Sequence, residues 1–177
     1  MRGVVFNVMQ DVYEAEYGAA AWDAVLAHGR LDGAYTSLAA YDDAEFAVLV
    51  SAAADVARVS ETAALRLVGR RGFGLLVGRH PQLVEDVSTW SAVLEQLNGV
   101  IHPEVAKIYP GAQIPAISVH RSGQALMVTY RSHRELCALA EGLLYGLGDW
   151  YGVDLEVMHD PCVRHGAEVC MMEIAER

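Results

Sequence analysis

Two short stretches hold the residues from which chemistry could be built. Ile101-His102-Pro103-Glu104 offers one imidazole beside a helix-starting proline. Tyr130-Arg131-Ser132-His133-Arg134 offers a phenol, a hydroxyl and a guanidinium at i, i+2 and i+4. In extended chain successive side chains alternate faces, so those three polar tips point the same way. Arginine meets a carboxylate through two parallel, charge-assisted hydrogen bonds. An imidazole on one element and an anion-binding row on another suit a ligand that carries both a metal and carboxylates. Haem is such a ligand, because its iron takes an axial histidine and its two propionates need donors. Plainer readings stand beside this one. His102 can be a helix-end histidine bonded to a backbone carbonyl, Tyr130 can be strand packing, and Ser132-x-x-Glu135 is a capping-box pattern that would start the next helix.

Cys137, His159, Cys162 and Cys170 form a second constellation. His159-x2-Cys162 and Cys162-x7-Cys170 are close enough to chelate, and Cys137 can come across from a helix. Three thiolates and one imidazole make a closed tetrahedral zinc set that uses every cysteine of the chain. His165 is a substitute ligand. The alternative is three buried apolar cysteines and a surface histidine. A bound metal would tie the last strands to the helix that follows Tyr130 and could make the domain sensitive to thiol oxidation. No nucleophile elbow, phosphate loop or pair of spaced carboxylates is present, so a catalytic role is not expected. Gly69-Arg70-Arg71-Gly72-Phe73-Gly74 does not follow a predicted strand and reads as helix packing near the ligand.

The elements that must position these residues follow from periodicity. Residues 3–17 place Val4, Val5, Val8, Met9 and Val12 on or near one helix face, and 19–28 form a second helix stopped by Gly29. Residues 31–41 are loop-like. Asp42 or Asp43 caps a helix to about Ala57, and Ser60 caps another to about Gly78. Residues 88–98 form a helix that Gly99 ends or bends, and Pro103 starts another that stops before Pro110. The period then changes to two. Residues 114–120 and 124–130 read as strands joined at Ser122-Gly123, 134–149 as a long helix, and 153–158 and 169–174 as the last strands. Helices first, then a mostly antiparallel sheet with one long helix, is an α+β layout.

The chain has 177 residues, 53% of them hydrophobic, enough for one domain with a sizeable core. No apolar run reaches membrane-spanning length, and Asp11 and Glu14 interrupt any signal-like stretch, so a cytoplasmic location without a membrane role is expected. A net charge of −10 makes nucleic acid an unsuitable partner and suits a partner with a basic surface.

Taken together, Met1-Arg2-Gly3-Val4-Val5-Phe6-Asn7, Leu31-Asp32-Gly33-Ala34-Tyr35 with Tyr41, the His102 region and Tyr130-x-Ser132-x-Arg134 resemble the haem nitric oxide/oxygen-binding (H-NOX) domains, related to the haem domain of soluble guanylate cyclase. The resemblance covers essentially the whole chain. It implies one domain over 1–177, with a helical distal part over roughly 1–60 and a proximal α/β part over 61–177, and haem b buried between them. It makes His102 the proximal iron ligand and Tyr130, Ser132 and Arg134 the propionate binders. The family's oxygen-binding members place a tyrosine five residues after the signature arginine, and here that position is Leu139. Val5, Met9, Pro115 and Leu143 also fall at family pocket positions, which implies a dry pocket poor in donors that takes NO and CO and discriminates against O2. Tyr13 and Tyr145 are the residues to check as donors. The cysteine set is similar to a zinc cluster of some bacterial members. The function implied is NO sensing, in which NO binding releases His102 and alters contact with a sensor histidine kinase or a cyclic-di-GMP enzyme. The competing expectation is a zinc-dependent module that reads thiol oxidation.

Overall fold

The computed structural model describes residues 1–177. The chain opens with α1 (Gly3–Tyr17), α2 (Ala19–Gly29) and α3 (Asp43–Ala57). Asp42 caps α3 by accepting from the amide of Ala44 at 2.9 Å. Next comes α4 (Glu61–Arg79), capped by Ser60, which accepts from the amide of Ala63 at 3.1 Å. These side chains satisfy amides that have no partner within a helix, which is why the two helices start there.

At Gly99, where the helix is expected to end or bend, the helical path does not end. Helix α5 (Trp90–Gln96) runs through a π-helical turn (Leu97–Ile101) directly into α6 (His102–Ile108). One extra residue is accommodated within a continuous helical path, with exposed Gly99 inside the wide turn, so His102 follows from α5 rather than from a fresh start. Pro103 falls at the start of α6, immediately after the π turn.

The sheet is wholly antiparallel, in the order β1 (Ala116–Ser122), β2 (Ala125–Arg131), β4 (Cys170–Glu176), β3 (Leu155–His159). Ser122 pairs with Ala125, so the hairpin turn is Gly123-Gln124, one residue later than expected, with Gly123 at φ +62°. Helix α7 (Cys137–Tyr151) begins three residues later than expected. Glu135 has φ +52°, which interrupts any helix starting at Arg134. Ser132 is therefore not its cap. The Ser132 hydroxyl instead accepts from the amide of Arg134 at 3.3 Å.

Two cores result. One joins Phe6, Met9, Tyr13, Trp22, Phe46 and Leu49 of the first three helices. The other joins Trp90, Leu94, Leu126, Leu147, Met172 and Ile174 of the sheet and its helices. Helix α4 serves both, giving Leu65 and Val68 to the first and Val77 to the second. It crosses α7 at near backbone contact. A Cβ on Gly69 would lie 2.3 Å from the carbonyl oxygen of Leu139, and one on Gly142 would lie 2.3 Å from that of Arg66. Only glycine permits that approach.

Candidate functional site

Between the helical part and the sheet lies a cavity of about 710 Å³, with 28 of its 38 lining residues hydrophobic. That volume falls in the range of small-molecule sites, roughly 300–1,000 Å³. Val5 comes from α1, Leu76 and Val77 from α4, Pro115 from the approach to β1, and Leu139 and Leu143 from α7. His102 is half-buried in this wall. Burial pushes its imidazole below the ordinary pKa, favouring the neutral ring that can offer a lone pair to a metal.

The polar lining includes the second stretch. Tyr130, Ser132 and Arg134 all reach the cavity. Burial pushes the Tyr130 phenol up, with the Ser132 hydroxyl acting against it. Strand β2 ends at Arg131 and the chain turns at His133-Arg134, so the row is held partly by a turn and not wholly by extended chain. Arg134 donates from Nε to Asp43 at 2.9 Å and from its terminal nitrogens to the carbonyl of Gln113 at 2.9 Å and its Oε1 at 2.6 Å. Asp43 also accepts from the N-terminal amine at 2.7 Å and lies 3.2 Å from His133 Nε2. Partial burial pushes the Asp43 carboxyl up, but the hydrogen bonds from Arg134, the amine and His133 outweigh it. They hold the group well below the usual carboxylate range.

Met9 does not reach the cavity. It is fully buried in the helical core, because the cavity meets α1 only along its first turn, at Val4 and Val5. Tyr13 is not a free donor either, since its hydroxyl bonds to the carbonyl of Ala53. Tyr145 lines a separate cleft of about 320 Å³ with Arg70, Asp149 and Arg177. Two tyrosines that line the large cavity have their hydroxyls already paired. Tyr41 accepts from the amide of Thr36 at 2.8 Å and donates to the carbonyl of Ala34 at 3.2 Å. Tyr109 pairs with His80 Nε2 at 2.9 Å. The cavity can therefore hold a flat apolar group with an axial imidazole and an anionic edge, as haem requires.

Cys137, His159, Cys162 and Cys170 converge as the spacing suggested, their ligand atoms all within 4.8 Å of one another. The Cys162 sulfur lies 3.6 Å from that of Cys137 and 3.8 Å from that of Cys170. Thiolates at about 2.3 Å around a tetrahedral zinc are roughly 3.8 Å apart, so these separations fit the metal without rearrangement. His159 Nε2 is a buried side-chain polar atom with no hydrogen-bond partner. His165 sits exposed in the turn after Cys162 and is not part of the group. Burial and the neighbouring sulfurs push the Cys137 thiol up to about 12, and burial raises Cys170 as well.

Three functional contacts were not read from the sequence. Asp43 had been seen only as a candidate cap, and nothing local announces its pairing with Arg134. His80 and Tyr109 end two helices that are distant in sequence. Glu141 did leave a signal. It stands four residues after Cys137, hence on the same helix face, within an otherwise apolar stretch.

The haem-NO-binding family matches residues 2–159. An H-NOX protein from S. oneidensis in the Fe(II)NO ligation state superposes with a TM-score of 0.93 at 29% identity, over 100% of this chain and 99% of that one. The H-NOX from Shewanella woodyi, solved with IWP-051 bound in the Fe(II)CO state, gives 0.83 at 29% identity, over 100% and 95%. The unliganded Fe(II) H-NOX protein from K. algicida gives 0.88 at 23% identity, over 100% and 97%, which speaks for the fold alone. No curated protein matches.

Proposed function

The chain belongs to the haem-NO-binding (H-NOX) family of haem-based gas-sensing domains, and from that premise we propose that it is an NO sensor using haem b, with His102 as the iron ligand. The observation that carries this reading is the half-buried His102 in the wall of an apolar cavity that Tyr130, Ser132 and Arg134 also line. When bound, the haem supplies a ferrous iron that takes NO or CO. Everything else falls to the chain. Arg134, Ser132 and Tyr130 orient the carboxylate edge, while Val5, Pro115, Leu139 and Leu143 keep the gas side dry and without a donor. Ferrous O2 needs a hydrogen bond that NO does not, so a leucine at 139 favours NO.

Release of His102 is the event to be transmitted. His102 opens α6 directly after the π turn, and single π turns occur where helices carry function. Within that turn Asn98 donates to the carbonyl of Ile117 on β1 at 2.5 Å. At the far end of α6, Tyr109 is bonded to His80 at the end of α4. A displaced His102 thus pulls on the sheet at one end of α6 and on α4 at the other, and α4 packs into the core of the first three helices through Leu65 and Val68. The helical part over 1–60 then shifts against the part over 61–177, presenting a different surface to a sensor histidine kinase or a cyclic-di-GMP enzyme. This is sensing, not catalysis. No helix is long and apolar enough to cross a membrane.

We propose further that Cys137, His159, Cys162 and Cys170 hold a structural zinc, supported by the sulfur separations and by the unpartnered His159 Nε2. The same close sulfurs favour a second reading, thiol-redox sensing through this cluster. Burial of all three cysteines weighs against it, because an oxidant must reach the sulfurs.

Absorption spectra of the reduced protein with and without NO, for the wild type and His102→Ala, test the proposal. The wild type should bind haem and show a Soret shift marking loss of the axial histidine, with no stable oxygenated form in air. Well-folded protein that takes up no haem when supplied with it, or unchanged ligation in His102→Ala, would overturn it. Under the thiol reading, cysteine substitution abolishes signalling and His102→Ala does not.

A further inference from the structure

Glu141 is the sole charged side chain buried in the core, 4% exposed. A carboxylate leaves water only where partners replace it. Here there are two. Arg66 of α4 reaches it with a fork, Nε to Oε1 at 2.8 Å and a terminal nitrogen to Oε2 at 3.0 Å. His159 Nδ1 lies 3.0 Å from Oε2. A carboxylate only accepts, so Nδ1 is the nitrogen that carries the proton. In the neutral ring Nε2 is then a bare lone pair, and that is the buried atom left without a partner beside the three sulfurs.

We infer that Glu141 is the positioning residue of the cysteine–histidine metal centre, holding His159 in the Nδ1–H form with Nε2 turned to the metal, while Arg66 balances its charge and ties the centre to α4. The inference rests on the zinc reading above. Carboxylate partners of this kind fix both the tautomer and the ring orientation of a ligating histidine. The charges favour the same arrangement. Three thiolates and a divalent zinc carry a net −1, and an unopposed carboxylate behind the histidine would add a second buried negative charge. Arg66, about half exposed, cancels it at the protein surface. Cys137 and Glu141, at i and i+4, present a ligand and the group orienting another ligand from one face of α7.

The test uses the zinc-loaded full chain. Zinc affinity is measured by competition with a chromophoric chelator for the wild type, Glu141→Ala and Glu141→Gln. Long-range 1H–15N correlation spectra assign the His159 tautomer. One zinc per chain is expected in the wild type, with Nδ1 protonated and Nε2 on the metal. Glu141→Ala should weaken zinc binding by roughly 10–100-fold. Glu141→Gln, which keeps an acceptor oxygen, should lose less. A wild-type protein that binds no zinc would defeat the zinc reading itself and this inference with it. A wild type that binds zinc through Nδ1 would overturn the inference alone, even if Glu141→Ala failed to fold. So would a folded Glu141→Ala with wild-type affinity and tautomer.

Discussion

Asp43→Asn removes the charge at which three chain segments meet. The Asp43 carboxylate takes one hydrogen bond from the N-terminal amine at 2.7 Å and one from Arg134 Nε at 2.9 Å. Charge-assisted hydrogen bonds contribute roughly 1.5–3 kcal/mol when shielded, whereas exposed ion pairs contribute about 0–1 kcal/mol. Arg134 is only 11% exposed but Asp43 is 35% exposed, so solvent screening discounts the pair towards the lower figure. An asparagine oxygen still serves one donor. The expected loss at neutral pH is therefore about 1 kcal/mol, a fall in Tm of roughly 2–4 °C for a chain of this size. The pH dependence has a definite sign. The folded-state carboxyl lies below its unfolded value of about 3.9, so its contribution is complete above that pH and is lost as pH falls below it. Urea titrations of wild type and variant at pH 7, 5 and 3 should show equal gaps at 7 and 5 and a narrower one at 3. A gap as wide at pH 3 as at pH 7, or none at pH 7, would refute the reasoning.

Leu139→Tyr should place a donor in the cavity and raise O2 affinity by about one to two decades, corresponding to a charge-assisted hydrogen bond of roughly 1.5–3 kcal/mol; O2 titration of the reduced protein reads it directly. Gly142→Ala should destabilise by about 3 kcal/mol, the upper end of ordinary overpacking, because the added carbon meets backbone and not a flexible side chain. Gly78→Ala, in the same α4 with open space around it, should instead gain roughly 0.5–1 kcal/mol; paired urea midpoints decide both. Stripping zinc with a chelator should lower Tm reversibly, by the equivalent of about 4 kcal/mol relative to free zinc at 1,000 times its dissociation constant, and an unchanged Tm would count against a structural metal.

Much of this was legible in the sequence wherever the signal is local. Ser60 and the aspartate pair announced two helix starts, and period-two stretches announced four strands to within two residues at every boundary. The cysteine cluster was legible because three cysteines and a nearby histidine are rare enough to be noticed at any spacing. Errors arose where one pattern has two solutions. A glycine before a proline reads as an end or a bend followed by a restart, and the π turn that accommodates both keeps the chain helical throughout. Ser132-x-x-Glu135 has the residues of a capping box, but Glu135 at φ +52° shows the chain turning first. Met9 shares a helix face with Val5, and periodicity cannot show that the cavity ends after the first turn of α1. Asp43 with Arg134 and Arg66 with Glu141 were invisible for a stronger reason: each pair joins residues 75 or more positions apart, and nothing local encodes the partner.

Helix α7 explains why one chain can carry both sites. Cys137 and Glu141 face the cysteine–histidine cluster, while Leu139 and Leu143 line the cavity. Two residues along an α-helix turn through roughly 200°, so the two sets occupy opposite faces of the same rod. Helix α4 lies across that rod at glycine contact and serves both sites along its length, with Arg66 at the cluster and Val77, about three turns further on, at the cavity. Backbones that touch at Gly69 and Gly142 leave no side chains between them to absorb a shift. Rotation of α7 cannot therefore change the wall of the cavity without also moving Cys137 and Glu141. That coupling follows from helix geometry, and it requires the glycines at the crossing far more than the identity of the side chains on either face.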